Sequence, residues 1–293
     1  MPRIRKKDSN PSNLLPLPPP PPITTTTTTR TADVTTSATF QDLGLSSSVL
    51  AGIQDNGFVR PSPVQLRAIP PARFGADVVV QAKAGTGKTL VFTVAILENV
   101  IATDSGGLQA VVLAPTREIA HQICNVIRSV GAHVHGKNRT AALSKSSSAP
   151  ATSTLQCHCF IGGLPLRDDL QLLRGTVCHV AIGTPGRVRQ LVAKGALDTR
   201  RATMLVLDEA DKMLGNGSQD SFAGDILAIA SSFPQRRQVL TFSATYPKNL
   251  SKRIAAIMHE AVVIRECIDD LNEEGGGGSG SSGNNGSRTS GSG

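Results

Sequence analysis

The segment Ala82-Lys83-Ala84-Gly85-Thr86-Gly87-Lys88-Thr89 carries the clearest chemical signal in this chain. It follows the apolar run Asp77–Gln81 and opens a helical pattern, the setting that a phosphate-binding loop needs. Glycines let successive backbone N–H groups turn inward around an anion, and the helix start behind them adds partial positive charge. Ala84, Gly85, Thr86 and Gly87 would form the cradle for a nucleotide's phosphates. Lys88 would reach the outer phosphates, and the Thr89 hydroxyl would ligate Mg²⁺. The strict pattern asks for Gly at position 82, where this chain has Ala. A Gly-rich turn before a helix would explain the glycines but not the Lys-Thr pair.

A second group, Asp208-Glu209-Ala210-Asp211, ends the apolar run Met-Leu-Val-Leu. An acid at the carboxyl end of a buried parallel strand sits where ligands bind in open α/β sheets. Asp208 is placed to hold Mg²⁺, and Glu209 to orient or deprotonate the attacking water. Acids also favour a helix's first turn, so these four letters alone decide little. The phosphate loop upstream favours the metal reading.

Weaker signals surround these two. Gln65 offers a donor and an acceptor to the edge of adenine, with Arg60 in the same segment; a surface glutamine after a Pro-x-Pro turn is the plain alternative. Phe40 suits a base stack or a core edge. Pro115, Thr116, Arg117, Gly162, Gly163, Thr184, Pro185, Gly186 and Arg187 cluster near strand ends, where their hydroxyl, guanidinium and backbone donors suit the phosphates of a single strand. Helix capping explains Thr116 and Thr184 equally well. Only 3% of residues are aromatic, so base stacking has few platforms and any contact with a single strand should be backbone-directed and sequence-tolerant. Ser243 and Thr245 follow a further strand end, where local hydrogen bonds are the plain reading.

The elements that must hold these residues read as α/β. Apolar runs at 77–81, 110–114, 159–161, 177–182, 204–208, 239–243 and 261–264 alternate with helical patterns at about 88–101, 117–130, 166–173, 186–194, 222–231 and 248–258. Continuous apolar strands alternating with helices imply a parallel β-sheet with helices on both faces. Residues 136–155 are rich in Ser, Thr and Ala and read as an exposed insertion loop.

The two ends differ from the middle. Residues 1–39 form a Pro/Thr-rich basic arm, and residues 275–293 a Gly/Ser-rich tail; both read as disordered, leaving one domain over 40–274. The formal net charge of +8 is compatible with a polyanion partner without establishing one. Five cysteines without CxxC spacing read as reduced core thiols. Cys157-His158-Cys159 on a strand would send His158 to the opposite face, against a zinc site. No segment has the length and apolarity to cross a membrane. A reducing compartment, nucleus or cytoplasm, is expected, and the basic cluster at Arg3–Lys7 could be a nuclear address or a solvated tail.

In their order along the chain these segments resemble the first RecA-like domain of a DEAD-box RNA helicase, over about Phe40 to Glu274. Phe40 with Gly57–Gln65 resembles the adenine-reading glutamine motif, Ala82–Thr89 motif I, and Pro115–Ala120 motif Ia, with Ile119 where Leu is commoner. Gly162-Gly163 is similar to the GG element, Thr184–Arg187 to motif Ib, Asp208–Asp211 to motif II, and Ser243-Ala244-Thr245 to motif III. The resemblance implies a P-loop NTPase that uses ATP and Mg²⁺ to remodel RNA. Asp208, Glu209 and Lys88 would serve catalysis, the motif Ia, GG and Ib residues RNA, and Ser243 and Thr245 the coupling between sites. It further implies a second RecA-like domain, which supplies an arginine finger. No second sheet pattern follows Ile264, so that domain is expected to be absent here and the chain to turn ATP over poorly. An ATP- and RNA-binding scaffold, acting within a protein complex, is the alternative reading.

Overall fold

The computed structural model describes residues 37–103, 106–135, 154–215, 222–258 and 260–266. Most of the basic arm, residues 136–153 of the insertion and the whole Gly/Ser tail therefore lie outside the described residues.

Seven strands form one sheet: β1 (Asp77–Gln81), β2 (Ala110–Leu113), β3 (Cys157–Phe160), β4 (Val180–Gly183), β5 (Met204–Leu207), β6 (Gln238–Ser243) and β7 (Ala261–Arg265). Their spatial order is β3-β4-β2-β5-β6-β1-β7, and every pairing is parallel. The apolar runs are continuous because both sheet faces are covered; β1, β2, β4, β5 and β6 are buried along almost their whole length.

Nine α-helices accompany them among the described residues. They are α1 (Ser47–Asp55), α2 (Pro63–Arg73), α3 (Lys88–Asn99), α4 (Arg117–Val130), α5 (Leu166–Gly175), α6 (Pro185–Ala193), α7 (Ala210–Leu214), α8 (Ala223–Ser232) and α9 (Lys248–Ala255). Alternate strand residues divide the core in two. Val78, Val80, Val112 and Leu240 face α1 to α4, with Ile53, Ile69, Phe92 and Ile127 beneath them. Val79, Val111, Leu205 and Val239 face the helices of the second half, with Leu191, Met213, Ile229 and Ile254. Phe92 meets Phe242 edge to face at 5.1 Å between ring centres, joining α3 to β6.

The structure corrects two local readings. Two helices, α1 and α2, occupy a stretch without a helical expectation; Gln65 thus lies in a helix rather than after a turn, and is buried. β3 begins at Cys157, two residues early, because Phe160 is already at the strand's end beside Gly183. Thr154, near the end of the expected 136–155 insertion, pairs with His135 in an antiparallel bridge. Cys124 Sγ lies 3.8 Å from Cys157 Sγ, and Cys124, Cys157, Cys159 and Cys178 are free thiols. His158 points away and bonds Val177 O at 3.0 Å; no cluster that could hold a metal occurs among the described residues.

Candidate nucleotide and RNA site

A fully parallel sheet places every strand's carboxyl end at one edge, so the loops after β1, β2, β3, β4, β5 and β6 meet there. Apart from Phe40, the motif residues lie on that edge or on helices that begin there.

The phosphate loop links β1 to α3. Gly85 and Gly87 have φ of 83° and 85°, a backbone region that side chains disfavour, and these turns aim amides into the loop. Lys88 folds back over it, with Nζ donating to Ala82 O at 2.6 Å and Lys83 O at 2.5 Å. Burial pushes its pKa down, while Asp208 and Glu209 pull it up. The lysine charge thus occupies the place where phosphate oxygens would displace the two carbonyls. Thr89 follows in the first turn of α3.

Gln65 does not present a free amide. Its Oε1 accepts from Ser62 N at 2.8 Å, completing a capping box at the start of α2, and its Nε2 donates to Gly87 O at 3.1 Å. Ser62 Oγ donates to Thr86 O at 2.8 Å. The glutamine segment therefore holds the phosphate loop in place. A Cβ at Gly87 would come within 2.2 Å of Gln65 Nε2 and displace that amide, and the φ of 85° itself favours glycine. Phe40 is 3% exposed and packed in the core, which corrects the expected base stack: the ring has no open face. Arg60 is exposed beside the segment.

β5 delivers Asp208 and Glu209. Asp208 is 6% exposed, and its Oδ1 accepts the backbone N–H of Glu209 at 3.0 Å. Burial and the neighbouring Glu209 charge raise its pKa to about 6. Glu209 has φ of 51° and ψ of 49°, the one non-glycine residue with positive φ among the described residues. Such a conformation costs roughly 1–2 kcal/mol for a residue with a Cβ, and it occurs here at the proposed water-orienting acid. Glu209 Oε2 lies 2.9 Å from Lys212 Nζ.

The strand-end hydrogen bonds form a continuous link. Thr245 donates twice to Asp211 Oδ2, from N at 3.1 Å and from Oγ1 at 2.8 Å. Ser243 Oγ donates to Thr245 O at 2.6 Å, and Ser243 O accepts from Ala82 N at 3.1 Å. The acid segment, the Ser-Ala-Thr segment and the phosphate loop are thereby tied together.

A groove of about 590 Å³ lies on the same edge, over β2, β4 and β3, lined by Pro115, Thr116, Arg117, Gly162, Gly163 and Thr184, with Gly186 and Arg187 at its floor. Thr116 caps α4, its Oγ1 accepting from Ile119 N at 3.3 Å. Thr184 Oγ1 accepts from Gly162 N at 3.3 Å. Gly163, at φ of 85°, lies under the Arg117 guanidinium; an added Cβ would stand 2.2 Å from Arg117 Nη2. Pro185 opens α6. Arg187 departs from its expected role: its side chain is 5% exposed, its Nη1 binds Asp169 Oδ2, and its Nη2 donates to Leu164 O. It lines the groove with its guanidinium held by these two partners.

These features agree with what the chain resembles. The sequence profile of the DEAD/DEAH box helicase family matches residues 62–253. The chain belongs to this family. The mouse (Mus musculus) probable ATP-dependent RNA helicase DDX20 is 43% identical over 238 residues, which make up 80% of this chain and 26% of that protein. Eukaryotic initiation factor 4A of Caenorhabditis elegans is 39% identical over 237 residues, 81% of this chain and 53% of that one. Among solved structures, a DEAD box protein from Methanococcus jannaschii aligns with a TM-score of 0.65 at 28% identity, over 79% of this chain and 56% of that one. Saccharomyces cerevisiae Dbp5 bound to RNA and ADP BeF3 aligns with a TM-score of 0.65 at 26% identity, over 80% and 54%. The chain thus spans between about a quarter and about half the length of these relatives, as a DEAD-box RecA-like domain.

In this DEAD-box domain the sequence reading missed Glu118, Gln190 and Phe222 at the groove. Gln190 stands three residues after Arg187 in α6, a helical spacing that could have found it, and Glu118 is the second residue of α4, inside the Pro115–Ala120 segment already singled out. Phe222 has no such signal, and it adds an aromatic to a surface expected to have few.

Proposed function

We propose that this domain binds ATP with Mg²⁺ at the phosphate loop and the backbone of single-stranded RNA in the groove. In this reading it hydrolyses ATP to remodel or unwind RNA when a second RecA-like domain closes over both. The observation that carries it is the hydrogen-bonded link from the phosphate loop through Ser243 and Thr245 to Asp211, on the edge that also holds the groove. The names of the relatives as ATP-dependent RNA helicases, and a neighbour bound to RNA and ADP BeF3, support the reading.

The residues fit the ions they would hold. A buried carboxyl at a strand end with a raised pKa is best kept ionised by a cation, and a carboxylate with a hydroxyl is a hard oxygen set suited to Mg²⁺. Thr89 and Asp208 would hold it, and the ion would neutralise charge on the phosphate oxygens. Lys88 exchanges its two carbonyl partners for those oxygens. The amides of the Gly85–Lys88 turn bind the same groups, and Glu209 orients a water toward the outer phosphorus. Charge developing on the far side of the phosphoryl group needs a cation from the closing domain, worth on the order of 10³–10⁵ in rate in related phosphoryl transfer. Thr116, Thr184 and the Gly162–Gly163 amides suit RNA phosphates without reading sequence.

Titration calorimetry of the 293-residue chain with ATP–Mg²⁺ and GTP–Mg²⁺, and fluorescence titration with unrelated single-stranded RNAs, tests the binding. ATP should bind more tightly than GTP, and RNAs of different sequence alike. Phosphate release should stay near background for the chain alone and rise with RNA once the second RecA-like domain of a close homologue is joined to it. Robust RNA-stimulated release by the chain alone, or equal affinity for ATP and GTP, would overturn the reading.

A further inference from the structure

The edge opposite the nucleotide site, where the parallel strands begin, carries an exposed aromatic and several arginines, of which Arg73 pairs with Glu98 at 3.6 Å and donates to Leu43 O at 3.2 Å. Phe74 follows α2 and is 78% exposed, although it precedes the buried strand β1 by only two residues. The Arg73 guanidinium carbon lies 5.2 Å from the centre of its ring. The ring does not hang on a loose turn. Gln238 Nε2 donates to Ala72 O at 2.7 Å and to Ala76 O at 2.6 Å, and Asn99 Nδ2 donates to Arg73 O at 3.2 Å. Two amide side chains from β6 and α3 thus clamp the turn from both sides and hold the aromatic outward.

Beside that turn is a cavity of about 320 Å³ lined by Gly75, Asn99, Thr203, Arg236 and Arg237 with the strand starts Met204 and Gln238. Arg236 is exposed, and it pairs with no acid among the described residues. Arg237 is anchored, donating to Pro234 O and Ile257 O at 3.1 Å each, and its Nε is buried without a hydrogen-bond partner among the described residues. The short turn Thr199–Arg201 brings two more exposed arginines to the adjoining start of β5; Arg200 is held by Asp198, with Nε 2.9 Å from Oδ1 and Nη2 2.8 Å from Oδ2, and Arg201 makes no ion pair with an acid among the described residues.

We propose that this edge is a second single-stranded RNA contact, in which Phe74 with Arg73 stacks on a base while Arg236 and Arg201 take the flanking phosphates. A rigid aromatic offering its flat face beside guanidiniums is the arrangement that binds single strands in a sequence-tolerant way. An acidic peptide would use the arginines but leave the ring face unused. The site lies on the opposite edge from the groove, so a strand would have to pass around the domain to reach both. The inference goes beyond the proposed helicase reading and does not depend on it.

The test uses the 293-residue chain and a fluorescein-labelled oligouridylate, in wild type and in an Arg117→Ala background that weakens the groove. Phe74→Ala and, separately, Arg236→Glu should each lower RNA affinity about fivefold or more in the Arg117→Ala background, as expected for losing a stacked base or phosphate contact. Phe74→Tyr should restore the stacking arm. ATP affinity should not move in either variant. Ultraviolet cross-linking of the wild-type chain should place uridine on the peptide containing Phe74. Affinities within twofold of the background for both variants would overturn the proposal. So would displacement of the RNA from this edge by polyglutamate at lower concentration than by unlabelled RNA, which would mark it as a protein-docking face.

Discussion

At Gln65 a side chain assigned to the adenine edge already has partners. Its amide bridges the capping box of α2 and the carbonyl of Gly87, so its removal acts on the loop before it acts on the base. Gln65→Ala is expected to cost about 2 kcal/mol by urea unfolding, from two part-buried hydrogen bonds. It should weaken inorganic pyrophosphate as well as ATP. If only ATP binding falls, direct reading of adenine by this residue carries the effect. Lys88→Ala behaves differently. Its two hydrogen bonds go to loop carbonyls at a partly exposed site, so thermal stability should change little while nucleotide binding is lost. Glu209 offers the opposite trade. Its left-handed backbone is relieved in Glu209→Gly, and its pairing with the largely exposed Lys212 contributes little. That variant should be more stable than wild type by about 1 kcal/mol in the absence of Mg²⁺ and should show no RNA-stimulated phosphate release. A drop in stability would mean that the ion pair outweighs the strain.

Between elements, the sequence was most legible where one physical pattern acted alone. The five central strands read as unbroken apolar runs because both sheet faces are covered, and α4 follows its expected bounds, 117–130, since its cap Thr116 and its apolar stripe agree. α2 was not legible because it contains Pro63, Pro70 and Pro71. Pro63 at the first turn suits a helix, but the other two remove backbone donors in its interior. Burial of Val64, Ala68, Ile69 and Ala72 against the core overrides that penalty, and no local letter reports it. The phosphate loop was read directly from spacing. The roles of Phe40 and Arg187 were not, because burial depends on neighbours distant in sequence. Arg187 shows the consequence. Its pairing with Asp169 fastens α6 to α5 with both side chains nearly enclosed. Asp169→Ala would strand a buried guanidinium and should lower unfolding free energy by about 3–5 kcal/mol. RNA affinity should fall with it, although Asp169 does not line the groove, and equilibrium urea curves read alongside RNA titrations would check this. Unchanged stability would show that the pair is solvated.

For the whole molecule, the sheet order has a consequence for biosynthesis. β1 carries the phosphate loop, yet its two neighbours are β6 and β7, with Val78 beside Leu240 and Val262. A ribosome adding about 5–20 residues per second leaves that first strand without partners for roughly 8 to 32 seconds. The nucleotide site is thus encoded early and assembled last, and ATP cannot act as a ligand that stabilises the emerging chain. Stalled nascent chains ending before residue 238 should therefore be cut readily by protease with or without ATP, and those extending past residue 266 and clear of the exit tunnel should be protected. Val78-Val79-Val80 would be the exposed apolar segment throughout that interval, and so a site where a chaperone holding extended apolar chain would be expected to bind.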